Sequence, residues 1–309
     1  MPNTKNSILQ KVSFSGINRK DIQLFIKRED LIHPEISGNK YRKLKYNLQQ
    51  AKSENKNTLL TFGGAFSNHI SAVAFAGKLH GFKTIGVIRG NELGDDLEKT
   101  LQSNPTLRFA NECGMQFKFV SRTDYRAKAF QEFIQQLKDE FNDFYLVPEG
   151  GTNNLAIRGC EEILSEETEI FDAICLAVGT GGTISGIINS AKSHQQVLGF
   201  PALKGDFLNN EINKYVNQTE NWNLISEYHF GGYAKTSNEL ITFINQFKKE
   251  TSIPLDPVYT GKMLFGLVDL INRDYFDEAA KILAIHTGGL QGIEGMNTIL
   301  KRRNSLIIN

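Results

Sequence analysis

"AICLAVGTGGTISG", residues 173–186, decides how the rest of the chain reads. Its first seven residues form an uninterrupted apolar run, the mark of a strand buried on both faces of a parallel sheet. From Thr183 onward the pattern turns helical. Glycines fill the corner between them, where the backbone must turn sharply and can approach a ligand closely. Freed amides and a helix N-terminus at such a corner make an anion site. Thr180 and Thr183 would add neutral hydroxyl donors. The corner lacks the lysine of a nucleotide P-loop and the later acidic residue of a dinucleotide fingerprint. A small phosphate monoester therefore suits Gly179, Thr180, Gly181, Gly182 and Thr183 better than a nucleotide does. A tight turn with no ligand uses the same glycines, and the loop alone leaves both readings open.

Working outward, the same alternation runs through the chain. Strands are predicted over 24–29, 58–62, 84–89, 117–120, 144–149, 173–179, 197–200 and 281–288. They are β-branched or aromatic runs bounded by turn residues. Helices are predicted over 67–80, 124–141, 183–192, 236–250 and 263–275. Over 124–141, Phe130, Phe133, Ile134, Leu137 and Phe141 fall on one helical face. This order predicts open, twisted α/β architecture with mainly parallel sheets. Ligands in such sheets sit beyond the carboxyl ends of the strands. Two further corners occupy such places, "TFGGAFSNH" (61–69) and "IHTGGLQG" (285–292). Ser67 reads as an N-cap, His69 as a structural histidine at a helix start, and Thr287 as a cap for the helix after it.

The 309 residues suffice for one large α/β domain or two interleaved ones. A net charge of +1 gives no electrostatic footprint for nucleic acid. No apolar run reaches the length of a membrane span, and the N-terminus lacks a signal-peptide core. Cys113, Cys160 and Cys175 show no zinc or disulfide spacing, so no metal is expected and reduced thiols in the cytoplasm are.

"EISGNKYRKLKY", residues 35–46, places Ser37, Gly38 and Asn39 before Lys40 at a helix start. This is ordinary helix punctuation, or it presents a lysine for covalent chemistry. A phosphate loop together with a poised lysine suggests a Schiff base to pyridoxal phosphate.

Six ordered motifs then carry a resemblance: "SGNKYRKLKY", "FGGAFSNHISAVA", "PEGGTNNLAIRG", "GTGGTISG", "DPVYTGKMLFGLVDLI" and "AIHTGG". The chain resembles the pyridoxal-phosphate-dependent family of 1-aminocyclopropane-1-carboxylate (ACC) deaminases and D-cysteine desulfhydrases, of the tryptophan-synthase-β-like class, fold type II. The resemblance implies two interleaved α/β domains with the cofactor in the cleft between them. Residues 1–45 plus 150–309 would form the larger, cofactor-binding domain and 46–149 the smaller. Lys40 matches the lysine that joins the cofactor and moves the substrate's α-proton. Asn68 matches the partner of the cofactor's 3′-oxygen. Ser67, Asn68 and His69 match the group that grips the substrate carboxylate. Gly179 to Thr183 match the phosphate loop, with Lys43 near the phosphate. Tyr259 matches the tyrosine stacked on the cofactor ring and Tyr233 a second active-site tyrosine. Lys45 reads as a solvated helix face. The resemblance also implies a homodimer.

Within the family, ACC deaminases read "VYEG" where this chain reads "VYTG". Their glutamate approaches the pyridine nitrogen. Thr260 stands in that place, and Thr287 matches the desulfhydrase pattern as the ring-nitrogen partner. A neutral hydroxyl gives a weaker electron sink, which suffices when a good leaving group sits at Cβ. The expected activity is therefore α,β-elimination from a small amino acid, D-cysteine giving pyruvate, sulfide and ammonia. The alternatives are ACC deamination to 2-oxobutyrate and ammonia, another elimination or a racemisation, and a non-catalytic ligand-binding protein. The chain departs from the family at "LQGIEG", at "EYHFGGYAK" and at Ser37, on the substrate side.

Overall fold

The computed structural model describes residues 2–36, 38–217 and 220–309; Ser37, named above as a departure from the family, lies outside them. Ten strands run in chain order: β1 (Leu9–Val12), β2 (Gln23–Lys27), β3 (Thr58–Gly64), β4 (Lys83–Arg89), β5 (Met115–Val120), β6 (Tyr145–Val147), β7 (Ala173–Val178), β8 (Gln196–Pro201), β9 (Trp222–Leu224) and β10 (Lys281–Ile285). They form a six-stranded sheet ordered β1-β2-β10-β7-β8-β9 and a four-stranded sheet ordered β5-β4-β3-β6. Every pairing is parallel except β1 with β2. All eight predicted strands are present. β1 and β9, at the two edges of the larger sheet, were not predicted, because a short edge strand lacks the continuous apolar run that marks a buried one.

The two-residue period of a strand splits its side chains between two cores. On β7, Ala173, Cys175 and Ala177 join one apolar cluster, while Ile174, Leu176 and Val178 join another. On β10, Ile282 and Ala284 divide from Leu283 and Ile285 in the same way. Helices Asn238–Thr251 and Thr260–Asn272 cover the first face; Asn154–Glu161 and Gly182–Ser190 cover the second. The smaller sheet repeats the arrangement, with Leu59 and Ile88 facing one cluster and Leu60, Phe62, Ile85 and Val87 the other.

The helix predicted over 124–141 is broken. A short helix, Arg122–Arg126, precedes a turn, and the second helix begins at Gln131. Phe130 is 64% exposed at that turn instead of lying on the apolar face. Tyr125, in the short helix, and Lys128, in the turn, share the carboxylate of Glu149.

The helix Asn39–Ser53 runs unbroken through residues 45 and 46 and packs Leu44, Leu48 and Ala51 with the smaller sheet's cluster. Its start is pinned to the larger sheet. Gly38 has φ +61°, and a Cβ there would lie 2.0 Å from the carbonyl oxygen of Thr287. The amide of Gly38 donates to Glu29 O (2.9 Å) and that of Asn39 to Thr287 O (3.4 Å). Beneath them Arg42 makes a two-bond pair with the buried carboxylate of Glu29, both bonds 2.9 Å. Only glycine fits this crossing. Gly38→Ala should therefore cost upwards of ~2 kcal/mol and lower the thermal midpoint by several degrees. An unchanged unfolding curve would mean that the crossing is not as tight as described.

Candidate functional site

The carboxyl ends of β3, β4, β7 and β10 converge on a cleft of about 720 Å³. Lys40, Lys43, Ser67, Asn68, His69, Gly179, Thr180, Gly181, Thr183, Tyr233, Tyr259 and Thr287 all line it. Of the residues proposed from the sequence, Gly182 stands behind the lining and Thr260 is absent from it. Lys45 faces away from the cleft and pairs with Glu162, 2.6 Å.

Lys40 and Lys43 lie one turn apart on the pinned helix, so both reach the same floor. Removal from water pulls the Lys40 amine down to about 7, and the charge of Lys43 pushes the same way. A large fraction of Lys40 is therefore an uncharged nucleophile at neutral pH. Lys43, also lowered by burial, is oriented by Gly150 O (3.0 Å) and by the hydroxyls of Thr152 (3.2 Å) and Thr180 (3.4 Å). These partners are all uncharged, so the ammonium keeps its charge available for an anion. Gly182 makes room for it: a Cβ there would lie 3.1 Å from Lys43 Nζ. Gly181, at φ +85°, turns the chain into the N-terminus of the nine-residue helix Gly182–Ser190. Asn39 Nδ2 donates to Thr183 Oγ1 (2.7 Å), tying the lysine's helix to this loop.

Ser67 caps the helix Asn68–His80, accepting from the amides of His69 (3.2 Å) and Ile70 (3.4 Å). Its hydroxyl hydrogen and the whole Asn68 amide have no partner among the described residues. His69 differs. Thr61 gives its one hydroxyl hydrogen to Val147 O (2.8 Å), so the 2.8 Å contact with His69 Nε2 must be donated by the imidazole. Burial and the two lysines hold the ring's pKa well below its ordinary value. A neutral His69 with its single N–H so engaged has no donor left for a substrate carboxylate. Among the described residues, the unengaged donors at this corner are the Ser67 hydroxyl and the Asn68 amide, while the His69 ring is tied to Thr61.

Tyr259 forms the opposite wall over Gly179, where a Cβ would come within 3.2 Å of the ring. Tyr233, on the rim, meets it edge-on at 6.2 Å. The turn holding Tyr259 is built by Asp256, a residue not singled out from the sequence. Its carboxylate accepts from the amides of Val258 and Tyr259 (both 2.9 Å) and from the amide and hydroxyl of Thr260 (both 2.8 Å). Thr260 is wholly buried and its hydroxyl is engaged there. It therefore does not stand in the cleft where the family glutamate approaches the ring nitrogen. Thr287 does line the cleft, and its hydroxyl has no partner among the described residues. "DPVYT" could have indicated this, since an aspartate just ahead of a helix start accepts the first amides. Lys262 was likewise missed. Its buried ammonium donates to His229 O (2.9 Å) and Gly232 O (2.8 Å), stapling the segment that carries Tyr233 to the helix below. Phe230, Gly231, Gly232 and Ala234 all have positive φ in that segment.

These groups fit pyridoxal phosphate. Lys40 offers an amine for its aldehyde, and the Gly179–Thr183 loop with Lys43 offers a cationic, amide-lined seat for a phosphate. The Tyr259 ring offers a flat wall, and the unpartnered Thr287 and Asn68 side chains offer polar contacts at its edges. Because only the neutral amine reacts, uptake of added pyridoxal phosphate by cofactor-free protein should quicken as pH rises toward about 7 and level off above it. Growth of the band near ~410–430 nm measures it. Lys43→Met should move the plateau to higher pH, since one of the two causes lowering Lys40 is removed. A rate still climbing at pH 9 in the unaltered protein would mean Lys40 is an ordinary lysine.

A family model for "pyridoxal-phosphate dependent enzyme" matches residues 8–288. The chain is 31% identical over 295 residues to the mitochondrial bifunctional D-cysteine desulfhydrase/1-aminocyclopropane-1-carboxylate deaminase of Arabidopsis thaliana, covering 88% of this chain and 73% of that protein. It is 26% identical over 288 residues to the D-cysteine desulfhydrase of Klebsiella pneumoniae, covering 86% and 87% respectively. The crystal structure of an ACC deaminase homologue aligns with a TM-score of 0.76 at 29% identity, over 94% of this chain and 93% of that one. With the match running almost from end to end, the protein belongs to the family of pyridoxal-phosphate dependent enzymes, and pyridoxal phosphate is its cofactor.

Proposed function

We propose that the protein is a lyase catalysing α,β-elimination from a small amino acid, D-cysteine with water giving pyruvate, hydrogen sulfide and ammonia. The observation that carries this reading is the location of the hydroxyls and carboxylates around the cleft floor. Thr260 is withdrawn under Asp256, and all four bonds accepted by Asp256 come from its own turn. The acidic groups lining the cleft, among the described residues, are Glu35, Glu149 and Glu211. The proposed partner of the ring nitrogen is the Thr287 hydroxyl, which cannot hold a proton there as a carboxylate does. That suits a reaction whose β-substituent leaves readily, and it does not suit opening a cyclopropane ring.

When bound, pyridoxal phosphate supplies the electron sink for bond breaking at Cα. In this proposal Lys40 Nζ takes the α-proton, and Ser67 Oγ and Asn68 Nδ2 hold the carboxylate so that the Cα–H bond faces the lysine. Lys43 and the Gly179–Thr183 loop hold the phosphate. Burial raises the Tyr259 phenol well above its ordinary value, so it keeps its proton at neutral pH. With Tyr233 beside it, Tyr259 is suited to donate a hydrogen bond to the leaving sulfur while keeping its own proton. A cytoplasmic homodimer belongs to the same proposal; the three cysteines are free thiols, as a reducing compartment would leave them. Among the described residues, no helix is long and apolar enough to cross a membrane.

Purified protein loaded with cofactor should release pyruvate and sulfide from D-cysteine faster than 2-oxobutyrate from ACC. Lys40→Ala should lose at least about a hundredfold in rate, the scale of a positioned proton-transfer group. Faster release of 2-oxobutyrate would make the protein an ACC deaminase instead.

A further inference from the structure

Arg89 ends β4 and stands opposite Gly64 in the register with β3. A Cβ on Gly64 would lie 3.6 Å from Arg89 Nη2, so the guanidinium lies along the loop whose Gly64 carbonyl accepts the amide of Ser67 (3.0 Å). Arg89 also lines the cleft. Its guanidinium sits over the Tyr125 ring, 5.6 Å from the centroid, and Lys128 lies at 4.8 Å from the same ring. Two cations thus share one aromatic platform.

None of the nearby acids pairs with Arg89 among the described residues. Glu149 accepts the Tyr125 hydroxyl (2.6 Å) on one oxygen and faces Lys128 (3.1 Å) on the other. Glu92, three residues beyond Arg89, is bound to Arg122 at 2.5 Å. Glu211 pairs with Lys214 at 2.6 Å. Glu35, the remaining acid on the cleft wall, makes no ion pair with Arg89. Among the described residues, Arg89 has neither an acidic partner nor a side-chain hydrogen bond. A fork-shaped cation held on an aromatic face and left without a counterion matches a planar carboxylate.

We infer that Arg89 selects substrates whose β-substituent carries a second carboxylate. This rests on the elimination reading for the amino-acid end of the ligand, which Ser67 and Asn68 hold. It adds the chemistry of the other end. For an S-carboxymethyl cysteine the balanced reaction with water breaks the Cβ–S bond and releases mercaptoacetate, pyruvate and ammonium. Sulfur leaves with the electron pair of that bond and takes up one proton. D-cysteine would then be a truncated substrate that leaves Arg89 unused.

The test compares S-carboxymethyl cysteine with its uncharged carboxamide analogue, both as the D-isomer, on the cofactor-loaded protein. Dissociation constants come from titrating the cofactor's absorbance, and pyruvate release is followed in parallel. The carboxylate should bind at least tenfold more tightly, and added salt should narrow the gap because the guanidinium is exposed. In Arg89→Gln the preference should collapse toward one. In Arg89→Lys it should return in part, through charge without the fork. Equal binding of the two compounds by the unaltered protein would overturn the inference. So would an Arg89→Gln protein that weakens both by the same factor, which would move Arg89 to the α-carboxylate. A clear preference with no pyruvate from either compound would sink the elimination reading and keep Arg89. Pyruvate from both with no preference would do the reverse.

Discussion

The site depends on one backbone crossing. Gly38 passes directly over the Thr287 carbonyl, at a φ that side chains rarely adopt and a distance that no Cβ allows. That crossing locks the first turn of the helix Asn39–Ser53 against the end of β10. It sets where Lys40 and Lys43 point, because the rest of the helix is rigid once its start is fixed. The buried Glu29–Arg42 pair holds the same turn from the far side. Breaking such a pair would leave an unmatched charge in the core, so it specifies one position for the helix instead of a range. A second close approach supports it: Gly159 lets the helix Asn154–Glu161 come within contact of the Arg42 carbonyl, where a Cβ would be 2.0 Å away.

From this frame the electrostatics follow. Lys40, Lys43 and Lys262 are lysines withdrawn from water, and none has a carboxylate partner among the described residues. Each is lowered by burial. The consequences differ with the surroundings. Lys43 and Lys262 are surrounded by carbonyl and hydroxyl oxygens that accept from an ammonium, so they serve as fixed charge and tether. Lys40 has no hydrogen-bond partner among the described residues, so its amine is the one left free to react. Of the acids lining the cleft, Glu149 and Glu211 are paired with lysines, and the buried carboxylate of Asp256 behind the wall is taken up by its own turn.

Much of this was legible in the sequence because the signals were local. Continuous apolar runs identified the buried strands, and glycines at the ends of β3, β7 and β10 marked the corners that converge on the cleft. The lysine's neighbours read correctly as a helix start. What stayed hidden depended on partners distant in sequence. Thr260 looked like a neutral replacement for a glutamate, but its side chain is turned toward Asp256. His69 looked like a carboxylate donor, but its ring N–H goes to Thr61, whose own hydroxyl hydrogen goes to Val147. The amphipathic pattern over 124–141 holds for Phe133, Ile134, Leu137 and Phe141, yet the helix is interrupted at the turn before Gln131. Arg89 carries no motif at all; its meaning comes from its lack of an acidic partner among the described residues.

The central claim is that burial and the Gly38 crossing select Lys40, among several nearby amines, as the one that carries the cofactor. Reduction of the cofactor-loaded protein with borohydride makes that linkage permanent, and proteolysis with mass spectrometry then locates it. The account predicts the added mass on the peptide containing Lys40 and fragment ions that assign it to Lys40 alone. Assignment to Lys43 or Lys262, or an even spread over surface lysines, would contradict it.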